Sequence, residues 1–96
     1  MFDLPVDTKL HRKEAARYRN TLLNLGFSRI QFSVYARYLI SADGVSWLSA
    51  KIGVGIPDGG LVRLLAVTDS QWISSITFEG KILTKPESPP DQLTIF

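Results

Sequence analysis

The sequence predicts an α+β fold, and three observations support this prediction. Between Phe27 and Tyr38 apolar and polar residues alternate, which is typical of a half-buried antiparallel strand. Between Lys9 and Leu25 apolar residues recur at the spacing of an amphipathic helix. Helical and extended patterns continue to alternate along the rest of the chain, so both kinds of element are expected in one small domain.

The composition indicates a single globular domain over residues 1–96. Apolar residues make up 45% of the chain, which is enough for a core at this length. The absence of cysteine excludes disulfides and thiolate metal sites, and the single histidine, His11, excludes a histidine-rich zinc site. No apolar run approaches the roughly 20 residues that a membrane span needs. A cytoplasmic protein without membrane contact is therefore expected.

The first elements are a short strand and a basic helix. The strand is expected to end near Asp3. Asp7 or Thr8 can cap the first amides of the helix, and Gly26 can supply the left-handed residue that ends it. The apolar side of the helix carries Leu10, Ala15, Tyr18, Leu22 and Leu25. The opposite half carries Lys9, Arg12, Lys13, Arg17 and Arg19.

The alternating segment has its apolar residues at even positions, among them Ile30, Phe32 and Val34, and these are expected to face the core. Its length exceeds the about five or six residues of a usual strand, so it is expected to bend or split into two pieces.

Further elements follow after turn signals. Residues 41–44 predict a turn and helix start, and Val45, Leu48 and Ile52 fit a second helix that ends near residues 53–55. The Pro-Asp-Gly-Gly sequence at 57–60 predicts a loop. Residues 61–68 are apolar on both faces, which predicts a central strand. A short helical segment at 69–72 and a strand at 76–79 follow. A proline-rich tether then leads to a C-terminal strand within 91–96.

This order of elements predicts a ferredoxin-like βαββαβ sandwich with an additional C-terminal strand. The helices cover one sheet face, and dimerisation through the other face is the expected way to cover it. The tethered strand, with Leu93, Ile95 and Phe96, is expected to add to a sheet edge, which can be that of the partner subunit.

The charges are segregated along the chain. Residues 1–40 carry seven Lys and Arg against three Asp and Glu, whereas residues 41–96 carry four against six. Such asymmetry points to a polyanionic partner, although many basic helix faces are only solvated. We therefore expect Lys9, Arg12, Lys13, Arg17 and Arg19 to contact nucleic-acid phosphates, with a solvated face as the alternative.

Three segments of the chain resemble one known family. They are Phe2-Asp3-Leu4-Pro5 before the basic helix, Gly26-Phe27 with Gln31-Phe32-Ser33-Val34-Tyr35, and the closing Pro90-Asp91-Gln92-Leu93-Thr94-Ile95-Phe96. In this order they are similar to CRISPR-associated protein family two (Cas-two), the small spacer-acquisition subunit, in its type II form. The resemblance covers nearly the whole chain.

The resemblance implies a ferredoxin-like homodimer that bridges dimers of the family-one integrase and holds duplex DNA for insertion into a CRISPR array. Family members are also described as magnesium-dependent endonucleases, with the aspartate that ends the first strand as the metal-binding and catalytic residue. Asp3 matches that position. Members usually have several apolar residues before this aspartate, whereas here only Met1 and Phe2 precede it.

Three hypotheses about function follow. The chain is a DNA-binding scaffold of spacer acquisition, a magnesium-dependent endonuclease of DNA or RNA that uses Asp3, or an unrelated ferredoxin-like interaction module. Magnesium keeps several waters, so Asp3 from each of two subunits can suffice to hold it. Two-metal nucleases usually converge several carboxylates, and the sequence offers no second acid clearly beside Asp3. Asp3 and Asp7 also suit ordinary turn and cap roles.

Overall fold

The computed structural model describes residues 1–80 and 82–84, which form nine short elements. In chain order these are β1 (Phe2–Asp3), α1 (Lys9–Asn24), β2 (Ser28–Gln31), β3 (Val34–Ala36), α2 (Gly44–Val54), β4 (Leu61–Val62), α3 (Asp69–Ile73), β5 (Thr77–Glu79) and β6 (Ile82–Thr84). The chain divides into two compact units, Met1–Leu64 and Leu65–Phe96. The predicted tether and the C-terminal strand with Leu93, Ile95 and Phe96 lie outside the described residues.

In the first unit, β1 lies between β4 and the β2–β3 hairpin. It pairs antiparallel with β4, so that Phe2 is opposite Val62 and Asp3 is opposite Leu61. On its other side, the Phe2 N–H donates to the Ser33 carbonyl in the turn between β2 and β3, at 3.0 Å. This arrangement confirms the predicted α+β, ferredoxin-like class.

The core of the first unit lies between these strands and the two helices. It contains Phe2, Leu4, Ala15, Tyr18, Leu22, Leu48 and Ile52. The rings of Phe2 and Tyr18 meet edge to face with their centroids 6.0 Å apart. Both helices therefore pack on the same face of β1.

The ends of α1 follow from local chemistry. Thr8, one of the two predicted caps, accepts a hydrogen bond from the His11 amide at 3.0 Å. Gly26 has a φ of +92°, the left-handed conformation that the prediction required. The Arg37 guanidinium donates to the Leu25 carbonyl at 2.8 Å, which places a positive charge at the carboxyl end of the helix.

The alternating segment splits into β2 and β3, as its length predicted, but the predicted core face is wrong. Phe27 and Tyr35, at odd positions, pack against the core, while Phe32 is 83% exposed. The physical reason is that the alternation runs across a turn at 32–33 and across a register shift between Arg29 and Gln31, both of which break a period of two.

Two other packing predictions are wrong. The strand expected over 61–68 comprises only Leu61–Val62, because a ladder extends no further than its partner and β1 is equally short. Beyond it, Leu64, Leu65 and Val67 are exposed. Leu10 is 60% exposed, because at 3.6 residues per turn it lies roughly 110° around α1 from the buried side formed by Ala15, Tyr18 and Leu22.

The second unit consists of α3 and the β5–β6 hairpin. Thr68 and Gln71 form a reciprocal capping box at the start of α3. In the hairpin Phe78 is directly opposite Leu83, and both side chains are exposed.

Candidate nucleic-acid interface and carboxylate site

Three cations form a row along the outer face of α1. Lys9, Lys13 and Arg17 are four residues apart, so that they follow one another at about 6 Å along the helix axis. All three are exposed, and they lie opposite the buried side of the helix. We call these three residues the cationic stripe.

In the described part of the chain, no carboxylate forms an ion pair with the stripe. Among residues 1–80 and 82–84 one ion pair is found, between the Asp7 carboxylate and the His11 Nδ1, 2.5 Å apart. Like charges four residues apart destabilise a helix by about 0.2–0.5 kcal/mol a pair. A bound polyanion would offset this repulsion, because each cation of the stripe would be attracted to it.

Arg12 and Arg19, the other two predicted phosphate contacts, lie outside the stripe. They are seven residues apart on one flank of α1, between the stripe and the buried side. Arg12 donates from Nη1 to the Val6 carbonyl in the β1–α1 loop at 3.2 Å, and Arg19 is only partly exposed. The structure therefore places three of the five cations in one exposed row and the other two, Arg12 and Arg19, on a flank of the helix.

Asp3 lies on the opposite side of the unit. It stands between Phe2 and Leu4, which both point into the core, so the Asp3 side chain points to the sheet face away from the helices. Its cross-strand neighbour Leu61 is 62% exposed on that face. The stripe and Asp3 are thus separated by the sheet and the width of a helix, about 10 Å. The stripe and Asp3 therefore face in different directions.

A magnesium ion finds one suitable donor in Asp3, an exposed carboxylate of the hard-oxygen type that this ion prefers. No group of three or more potential metal-binding side chains occurs in the described part of the chain. Magnesium at Asp3 would therefore take its remaining ligands from water, from a nucleic-acid phosphate or from a second subunit. The described residues of one chain do not provide the converging carboxylates of a two-metal site.

His11 is engaged by local partners on the core-facing side of α1. Its imidazole bonds to Asp7, and this hydrogen bond lowers the pKa of the Asp7 carboxyl below its ordinary value. The pair lies on the helix side of the sheet and so does not converge with Asp3.

The β2–β3 turn was missed by sequence reasoning as a possible site. The Arg29 guanidinium lies over the ring of Phe32, 5.1 Å from its centroid. The alternating pattern predicted a core position for Phe32. Phe32 is exposed because it lies in the turn, which the pattern does not reveal.

Comparison with known proteins decides the family. The family described as "CRISPR associated protein Cas2" matches residues 1–74. A Paracidovorax avenae protein named CRISPR-associated endoribonuclease Cas2 is 42% identical over 96 residues, covering 100% of this chain and 89% of that protein. The chain belongs to the Cas2 family. The resemblance stated from the sequence is confirmed, and the hypothesis of an unrelated interaction module is wrong.

Two further relatives are also named CRISPR-associated endoribonuclease Cas2. The Parvibaculum lavamentivorans protein is 38% identical over 96 residues, covering 100% of this chain and 95% of the relative. The Flavobacterium psychrophilum protein is 35% identical over 95 residues, covering 99% and 83%. The Cas2 family match over 1–74 includes both Asp3 and the cationic stripe. In the described part of this Cas2 chain, no helix has the length and apolar character that crossing a membrane requires.

Proposed function

We propose that this chain is a homodimeric, duplex-binding scaffold of CRISPR spacer acquisition, which grips DNA through the cationic stripe and bridges integrase subunits. The observation that carries the proposal is the row of Lys9, Lys13 and Arg17, exposed and without a carboxylate partner in residues 1–80 and 82–84. The integrase as a partner rests on the family alone.

The stripe suits a phosphate backbone better than a sequence-specific reader. Its side chains are long cations spaced along one line, and cations that contact phosphates fix position without reading bases. Two subunits would present six such contacts. Counterion release then predicts a slope of log affinity on log salt of about −5.

The dimer would use the sheet face that carries Asp3. Because Tyr35 packs against the core, its neighbours Val34 and Ala36 point to this other face, together with Leu61. These apolar side chains are the kind that a partner subunit covers. The stripes of both subunits would remain outside that interface and free to meet DNA.

The test is duplex binding by a variant without the stripe. Replacement of Lys9, Lys13 and Arg17 by Ala should weaken binding by at least about tenfold on any duplex sequence at 0.1 M salt and reduce the salt slope nearly to zero. Lys51→Ala is the control, because Lys51 is an exposed cation on α2, where it lies over Trp47. Binding isotherms on two unrelated duplexes at several salt concentrations measure the affinity and the salt slope of each variant.

Unchanged affinity and slope in the triple variant would rule out the stripe as the DNA site. An equal loss per removed charge in the triple variant and in Lys51→Ala would show that only net charge matters. Circular dichroism of each variant checks that the fold is kept.

A magnesium-dependent endoribonuclease that uses Asp3 is the second candidate. It is supported by the exposed carboxylate at the end of β1 and by the names of the relatives. Asp3→Asn should abolish cleavage of single-stranded RNA, as should chelation of magnesium. Because Asp3 and the stripe lie on opposite faces, the same variant should bind duplex DNA like the parent. Cleavage that survives the substitution in nuclease-free preparations would remove Asp3 from catalysis.

A further inference from the structure

Phe32 occupies an unusual place at the turn between β2 and β3. It is 83% exposed, the Arg29 guanidinium lies 5.1 Å from its ring centroid, and its sequence neighbours Gln31 and Ser33 are exposed polar residues. We propose that Phe32 and Arg29 form a stacking site for an unpaired nucleobase. This proposal rests on the proposed nucleic-acid binding and adds to it a base-contacting site at the β2–β3 turn.

The chemistry of the turn favours a base over a protein partner. Aromatic rings and Arg guanidinium planes are the groups on which proteins stack unpaired bases, and the stacking tolerates any sequence. The guanidinium also adds a positive charge where the phosphate of the stacked nucleotide would lie. A protein interface core is instead a contiguous apolar area depleted of charge, whereas Phe32 is flanked in the turn by the exposed polar residues Gln31 and Ser33 and lies beside the charged Arg29 guanidinium.

The position of the turn connects this site with Asp3. The Ser33 carbonyl accepts the Phe2 N–H, Phe32 precedes Ser33, and Asp3 follows Phe2. Two chain steps of 3.8 Å and one strand spacing of about 5 Å place the Cα atoms of Phe32 and Asp3 within roughly 12 Å. A nucleotide stacked on Phe32 would therefore lie at the same end of the sheet as the Asp3 carboxylate.

The experiment compares a blunt DNA duplex with the same duplex carrying a single-stranded overhang that contains 2-aminopurine. The parent should prefer the overhang and quench the 2-aminopurine fluorescence by stacking. Phe32→Ala should weaken overhang binding by roughly 5- to 150-fold and lose the quenching, with blunt-duplex binding unchanged. Phe32→Trp should restore both signals. Phe78→Ala is the control, because Phe78 is an exposed phenylalanine of the second unit.

The outcomes separate this proposal from the proposed function. A parent that binds blunt duplexes through the stripe but shows no overhang preference overturns the stacking site alone. The stacking site is also overturned if Phe32→Ala binds the overhang duplex as tightly as the parent does. A change from dimer to monomer in Phe32→Ala, seen by sedimentation, would assign Phe32 to a subunit interface and also overturn the proposal. A parent that binds neither DNA overturns both.

Discussion

At the scale of single residues, Tyr18 joins the two helices of the first unit. Its ring is buried against Phe2, and its hydroxyl donates to the Ile52 carbonyl at 3.1 Å. Ile52 lies in the last turn of α2, where carbonyls have no partner within the helix. Burial raises the pKa of the Tyr18 hydroxyl above its ordinary value. The folded state therefore favours the neutral hydroxyl.

Tyr18→Phe should lower the free energy of unfolding at pH 7 by about 1 kcal/mol, because the buried Ile52 carbonyl loses its donor. The parent should also lose stability as the pH rises above about 10, since the unfolded tyrosine ionises before the folded one. The variant should lack this alkaline contribution. Urea unfolding at pH 7 and at about pH 10.5 measures both effects.

Tyr38→Phe is the matched control, because this half-buried tyrosine has no hydrogen-bond partner for its hydroxyl among the described residues. Equal stability of parent and Tyr18→Phe at pH 7 would contradict the capping role of the Tyr18 hydroxyl.

At the scale of elements, the loop between α2 and β4 holds the end of β1. Gly60 lies so close to Leu4 that a Cβ atom at this position would be 2.8 Å from Leu4 Cδ2 and 3.0 Å from the Pro57 carbonyl oxygen. The Gly60 amide also donates to that carbonyl, at 3.0 Å. This close contact holds Leu4 in the core, and it thereby also fixes the position of the chain that follows Asp3.

Gly60→Ala should destabilise the protein by about 1–3 kcal/mol, because the added methyl group must displace Leu4 or the loop backbone. Gly53→Ala offers the opposite expectation. An added Cβ at Gly53 meets nothing within 4 Å, and the residue lies within α2, so alanine should stabilise by up to about 1 kcal/mol. Thermal and urea unfolding compare the two variants. Similar effects of the same sign would refute the packing argument.

At the scale of the whole molecule, the first unit presents two different surfaces. The cationic stripe looks outward from α1, and the sheet face opposite the helices carries Asp3, Leu61, Val34 and Ala36. We therefore expect the proposed duplex binding and the proposed chemistry at Asp3 to be separable by mutation. A dimer formed through the sheet face would bring two copies of Asp3 together while leaving the stripes exposed.

Leu61→Glu should weaken that dimer by at least about tenfold, because a charge placed in the apolar interface loses its hydration. Val54→Glu is the control, since Val54 is 86% exposed at the end of α2. Sedimentation velocity over a range of concentrations reports the dissociation constant of each variant. A parent that stays monomeric at micromolar concentration, or a Leu61→Glu variant that dimerises like the parent, would refute this interface.

Local sequence signals by themselves determined the family, the α+β class and the limits of α1. Thr8 caps that helix and Gly26 ends it, because capping and left-handed conformations depend on the nearest residues.

The strand faces were decided only by tertiary structure. Alternation shows that a segment has two faces but not which face packs against the helices. In the structure the rings of Phe27 and Tyr35 pack against the core. The separation of the cationic stripe from Asp3 was likewise invisible in the sequence, where only five residues lie between Asp3 and the first stripe residue Lys9. It arises because β1 turns its alternate side chains to opposite sheet faces while α1 covers only one of them.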